Sequence, residues 1–193
     1  MTHSAPFLKS ARLLLLALAT AALVSGCGFQ LRGTSPVPAT LQPLAVDCPD
    51  TLPARFCQSV REQLSLGGVQ LADSASQAAY VLRLRDYRTD RRASAITAQA
   101  AAAEYRLRHT VAIELLTADR VPLIASTDLN ASETYRYDET NVLAKQREED
   151  ELRQQLGDRL AQQVIFRLAP MTRERIDAIL ADYEAGQEQA EQP

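Results

Sequence analysis

The sequence is short of several residue types, and each scarcity removes a class of function. It has no tryptophan and only two histidines, His3 and His109. His109 is the one imidazole in the body of the chain, and no Cys/His cluster of metal-site spacing accompanies it. It falls in step with apolar neighbours along a strand-like run, the pattern of a core histidine. No serine or threonine has an evident partner base. Enzyme chemistry therefore has no candidate residues, and no metal or cofactor is implied. Lysine is nearly absent: Lys9 and Lys145 are the only two, so arginine carries the positive charge. Acids outnumber bases, 24 to 21, for a net charge of −3, which argues against a nucleic-acid partner. No apolar run reaches the roughly 20 residues that cross a bilayer as a helix.

What is present starts with the most apolar stretch, LLLLALATAALV at 13–24. It follows an acid-free start holding Lys9 and Arg12, and it leads into VSGC. A basic start, a short apolar core and a small-residue exit make residues 1–26 a signal peptide. VSGC looks like a bacterial lipobox. That likeness implies diacylation of Cys27, cleavage before it and acylation of the new amino group; the alternative is an ordinary signal peptide with an incidental cysteine. Two or three acyl chains anchor a protein stably where one chain binds only marginally. Gly28 comes next, not the aspartate that would suggest inner-membrane retention. The favoured location is thus the periplasmic side of the outer membrane. Residues 1–26 hold two bases and no acid, so their removal takes the net charge from −3 to −5.

The rest is long enough for one domain. Residues 27–40 read as a lipidated tether, kept extended by the prolines of RGTSPVPAT. The domain spans 41–169. In a first strand at about 42–48, Leu44, Val46 and Cys48 alternate onto one face. A helix starts near Pro53 and stops at Gly67 and Gly68; its apolar face carries Phe56, Cys57, Val60 and Leu64. Both thiols point at one core. An even pair in an oxidising compartment suggests a Cys48–Cys57 disulfide, with two free buried thiols as the alternative. A second strand covers about 79–88. The alanine-heavy segment 89–103 reads as a long hairpin loop with possible strand ends. The clearest strand, 104–116, puts Tyr105, Leu107, His109, Val111, Ile113 and Leu115 on one side. Its partner, 122–136, turns Leu123, Ala125, Leu129 and Ala131 inward.

A long helix over about 140–168 enters through Asp138 or Thr140 as a cap and shows a Leu152, Leu156, Leu160, Val164 and Leu168 stripe. Gly157 interrupts it, and Pro170 ends it. The acids of REEDE at 147–151 read as a solvated helix face. A short helix over 170–184 and a disordered tail over 185–193 complete the chain.

The order β-α-β-β-β-α predicts a two-layer α+β fold, in which a four-stranded, mainly antiparallel sheet is covered on one face by two helices. The other face carries Arg83, Arg85, Arg106, Arg108, Thr110, Asp128, Asn130, Ser132 and Arg136. Solvent is the usual neighbour of such a face; a polar or anionic partner is the functional alternative.

CGFQLRG at the lipidated end, AEYRL at 103–107, YRYDETNVLAKQREEDELRQQL at 135–156 and LAQQVIFRL at 160–168 resemble, in order and spacing, the LptE family of lipopolysaccharide-assembly lipoproteins. The resemblance spans nearly the whole mature chain. It implies two helices on a four-stranded sheet and a partner, the outer-membrane β-barrel LptD, in which the lipoprotein sits as a plug. It also implies binding of lipopolysaccharide, delivered by the two proteins to the cell surface. Arg83, Arg85, Arg106, Arg108 and Arg136 are then the candidates for contact with the polar barrel lumen. Lys145, in the family's LAK segment, is the candidate for lipopolysaccharide phosphates, near a helix start that itself favours anions. Where the family often has an aromatic-Arg-Asn-Gly turn, this chain has AITAQ, and Arg91 and Arg92 a few residues earlier are the basic candidates there. A lipoprotein that carries lipid without a barrel is the competing reading; it would need an enclosed apolar cavity.

Overall fold

The computed structural model describes residues 36–190, so the expected signal peptide, Cys27 and most of the expected tether lie outside the described residues. Strand β1 (Leu44–Asp47) leads into helix α1 (Ala54–Leu66) and then strand β2 (Tyr80–Ile96). Strands β3 (Ala102–Thr117) and β4 (Pro122–Arg136) follow, then helices α2 (Val142–Leu168) and α3 (Arg173–Ala190). The sheet order is β1-β2-β3-β4. β1 runs parallel to β2, a geometry that requires a crossover, and α1 supplies it. The other two pairs are antiparallel. The α+β architecture matches the sequence expectation.

α1 buries Phe56, Cys57, Val60 and Leu64. It ends where Gly68 takes φ +78°, which lets the Val69 amide reach back to the Leu64 carbonyl at 3.0 Å and the Gly68 amide to Ser65 at 2.9 Å. α2 buries Leu156, Leu160, Val164 and Leu168 along the predicted stripe, with Ala161 and Ile165 beside it. Each fully buried leucine contributes about 2 kcal/mol by transfer from water. Before α2, the Asp138 carboxylate accepts from the Thr140 amide at 2.9 Å and its hydroxyl at 2.7 Å. These bonds hold the Asp138 carboxyl below its ordinary range. Cys48 and Cys57 form a disulfide across a 6.2 Å Cα separation, beside the α1 core.

The structure departs from the sequence reading in four places. In segment 89–103 the loop is much shorter than expected and the strand ends much longer: β2 runs on to Ile96, β3 starts at Ala102, and only the turn between them remains. Alanine and aspartate are weak strand formers, so pairing with β3 sets this conformation, not local preference. Thr97 closes the short turn, its amide donating to the Ala101 carbonyl at 2.8 Å. In β4, Ala125 is exposed, while Ile124 is buried. The pairing jumps from Ile113–Thr127 to Leu115–Ile124, and that bulge swaps the two faces. At the C-terminus, helix α3 continues through 185–190, where the sequence suggests disorder, although every residue from 181 to 190 is exposed. At the other end, residues 36–40 are not tether: Val37 is buried, and the Thr40 hydroxyl donates to the Met171 carbonyl at 3.2 Å.

Candidate functional site

A bulge in β2 decides which arginines face which way. Asp86 and Tyr87 together stand opposite Val111, between the Arg85–Ala112 and Arg88–Thr110 pairs, and Asp86 takes φ 51°. Aspartate tolerates this left-handed conformation better than most residues. The extra residue shifts the alternation by one step. Arg83 and Arg85 therefore share the open face with Arg88, Asp90 and Arg92, whereas Tyr87, Thr89 and Arg91 turn toward the helices. The sequence pairs Arg91 with Arg92 as one basic patch; the structure sends them to opposite faces.

On the open face most arginines are neutralised. Arg83 lies 3.6 Å from Asp47 and 3.5 Å from Glu114; Arg85 lies 2.9 Å from Asp47. Arg88 pairs with Asp128 at 2.9 Å and Arg92 with Asp90 at 2.7 Å. Arg136, with its side chain 89 % exposed, stands at the edge, 3.9 Å from Glu104. Arg106 and Arg108 alone among the sheet-face candidates have no ion pair or hydrogen bond within the described residues. They line a shallow groove of about 900 Å³ together with Arg88, Arg92, Asp90 and Asp128. Arg106 sits directly opposite Arg92 in the ladder. Like charges across a strand pair destabilise a sheet, so the arrangement suits an external anion or a partner carboxylate.

The helix side holds a second cluster. The Arg91 guanidinium lies 3.4 Å over the Tyr105 ring, and its Nε donates to the Tyr135 hydroxyl at 3.1 Å. The same Nε stands 3.0 Å from the Glu149 carboxylate, which also accepts from Tyr135 and Arg153. Tyr105 stacks on Tyr135 at 6.0 Å and meets Tyr137 edge-on at 5.3 Å. Burial, with the hydrogen bond to Glu149, pushes the Tyr135 hydroxyl up to about 12. Lys145 pairs with Glu148 at 2.7 Å and shares a groove of about 520 Å³ with Arg91, Tyr137 and Arg153. Thus Arg91 and Lys145 come together, and Arg92 does not join them.

Beneath this cluster, His109 is buried as its register suggests. Its Nδ1 meets the Tyr87 hydroxyl at 2.7 Å, and its Nε2 is buried without a partner. Burial first, and Arg153 second, hold its pKa below 6.5. Among the described residues no His, Cys, Asp and Glu group could hold a metal ion, and no helix is long and apolar enough to cross a membrane.

The family model for LptE, lipopolysaccharide-assembly, matches residues 41–168, which take in both clusters. The chain belongs to the LptE family. It is 35 % identical over 161 residues to the LPS-assembly lipoprotein LptE of Pectobacterium atrosepticum, covering 81 % of this chain and 85 % of that one. With the LptE of Yersinia pestis it shares 34 % identity over 161 residues, 81 % and 75 % of the two chains. Among solved structures, a minor lipoprotein of Acinetobacter baumannii superposes with TM-score 0.58 at 25 % identity, covering 69 % of this chain and 94 % of that one. A lipoprotein B of Nitrosomonas europaea shares the fold at TM-score 0.64 and 17 % identity, covering 78 % and 96 %.

Within this LptE domain, sequence reasoning misses three contributors. Arg88 joins the open face only through the β2 bulge. The one local signal is the change of phase at Asp86, from Arg83 and Arg85 to Arg88, Asp90 and Arg92. Glu149 reads as one acid among several in REEDE, yet it is buried; its distinguishing mark is a position seven residues before Leu156, in line with the apolar stripe. Arg153 follows Glu149 by four residues, an ordinary surface ion-pair spacing on a helix, yet it reaches both Glu149 and the groove.

Proposed function

We propose that the protein is an outer-membrane lipoprotein that plugs and supports the LptD β-barrel in a translocon inserting lipopolysaccharide at the cell surface, and that it binds lipopolysaccharide itself. Membership of the LptE family supports the assembly role. The observation that carries the finer reading is the pair of arginines, Arg106 and Arg108, that have no partner among the described residues, on a sheet face that no described helix covers. A plug in a polar barrel lumen needs such a face, and arginine forks match carboxylate and phosphate alike. The sheet-face arginines Arg83, Arg85, Arg106, Arg108 and Arg136 serve the barrel, with Arg106 and Arg108 foremost. Arg92 stands with them, while Arg91 and Lys145 serve lipopolysaccharide on the helix side. The acylated Cys27 holds the domain at the membrane, and no step of this role is catalytic.

The test is purification from detergent-solubilised membranes. Wild type should bring down a large barrel, and its mass should show acyl chains on Cys27. Arg106→Glu with Arg108→Glu should reduce barrel recovery while the thermal transition stays near wild type, since surface changes typically cost no more than about 0.5 kcal/mol. Lys145→Asp should keep the barrel and weaken lipopolysaccharide binding. Recovery of lipid with no barrel would favour the carrier reading. Full binding of both partners by both variants would leave these faces merely solvated.

A further inference from the structure

Along residues 142–150, the start of α2, Glu149 is the only buried side chain, 9 % exposed. What fastens this stretch to the sheet is therefore chiefly one carboxylate. It receives the Tyr135 hydroxyl, the Arg153 guanidinium and, at 3.0 Å, the Arg91 Nε. Arg91 is preset for that task by the Tyr105 ring beneath it and the Tyr135 hydroxyl beside it. Two guanidinium groups and a phenol converging on one anion are also the donors that receive a phosphate group. We propose that Arg91, Arg153 and Tyr135 form a phosphate cradle that the protein's own Glu149 keeps closed, and that a phosphate-bearing lipid opens it by displacing that carboxylate. This deepens the lipopolysaccharide-binding reading and rests on it.

The chemistry is an exchange of anions on fixed donors. A phosphate monoester carries up to about two charges near neutral pH against one for the carboxylate, so it gains more from the same cations. Glu149 has the advantage of being tethered, which gives it a high effective concentration and keeps the cradle closed at rest. Arg153 has a second partner, Asp150 at 3.2 Å, so the departure of Glu149 leaves Arg91 as the arginine without a carboxylate. Lys145 lies in the same groove and stands ready to add a third cation. Release of Glu149 also frees the start of α2, where Val142 and Leu143 are already 40 % and 74 % exposed. Phosphate binding and the position of this apolar helix end are thereby coupled.

Isothermal titration with inorganic pyrophosphate and amide exchange on the whole folded protein test the gate. Glu149→Gln keeps the shape and removes the charge. It should bind pyrophosphate at least tenfold more tightly than wild type, and adding Arg91→Met should abolish that gain. In wild type, lipopolysaccharide should speed exchange at the amides of 146–150. Equal or weaker pyrophosphate binding by Glu149→Gln overturns the gate, as does added protection of 146–150 on lipopolysaccharide binding. If Glu149→Gln does not fold, the wild-type exchange result decides alone. Lipopolysaccharide binding with unchanged exchange at 146–150 overturns the gate and spares the binding reading; no lipopolysaccharide binding by wild type overturns both.

Discussion

Gly157 lies inside α2, where glycine is about 1 kcal/mol less favourable than alanine. Its backbone does not take the left-handed conformation that would call for glycine. A Cβ built there would meet only the Tyr87 hydroxyl oxygen, at 3.6 Å, an ordinary van der Waals contact. Nothing in the folded domain then opposes a methyl group, and Gly157→Ala should stabilise the protein by about 1 kcal/mol. For a domain of this size that raises Tm by about 2–4 °C. Gly186 provides the control. It sits in the exposed distal half of α3, with nothing within 4 Å of its Cβ position. Gly186→Ala should strengthen that helix end locally and leave the global transition unmoved, because a terminal segment without tertiary contacts opens on its own. Calorimetry and urea unfolding of the two variants against wild type measure both effects. A Gly157→Ala protein less stable than wild type would refute the reasoning, and would mean that the Tyr87–His109 pair tolerates no closer neighbour. An equal gain from Gly186→Ala would show that the distal half of α3 unfolds with the rest of the domain.

His109 should make stability depend on pH in one direction. Burial and Arg153 depress its folded pKa, so the unfolded chain binds a proton first; this contribution is complete above the ordinary value of 6.5 and is lost as pH falls from there toward the folded pKa. Urea unfolding across that range should show the loss in wild type and not in His109→Gln; an identical slope in the two proteins would exclude His109 as its source. Reduction of the Cys48–Cys57 bridge, which links residues 9 apart, should lower stability by about 3 kcal/mol in the chain-entropy view without abolishing the fold. Non-reducing peptide mapping identifies the bridge, and two freely alkylated thiols in unreduced protein would rule it out.

By itself the sequence determined the elements and their order, because those rest on local periodicity. Leu107, His109, Val111, Ile113 and Leu115 alternate without interruption, so β3 can present only one face to the core. Leu156, Leu160, Val164 and Leu168 repeat at helical spacing, and the glycine pair at 67 and 68 marks a stop that any chain geometry must respect. With four strands and two long helices in that order, the two-layer fold follows from the need to bury one face of each. Tertiary structure alone decided where the charges go. One extra residue at Asp86 and Tyr87 shifts the alternation of β2 from there to Ala93, which turns Arg91 toward the helices and brings Arg88 and Arg92 to the open face; the change of phase among the charged residues at Asp86 is its only local trace. The pairing of 89–96 with β3 overrode the weak strand preference of an alanine-rich segment. Glu149 holds the start of α2 only because β2 and β4 bring Arg91 and Tyr135 beneath it. A carboxylate's role depends on which cations reach it through space, and residues 58 and 14 positions away along the chain are beyond what local pattern can register.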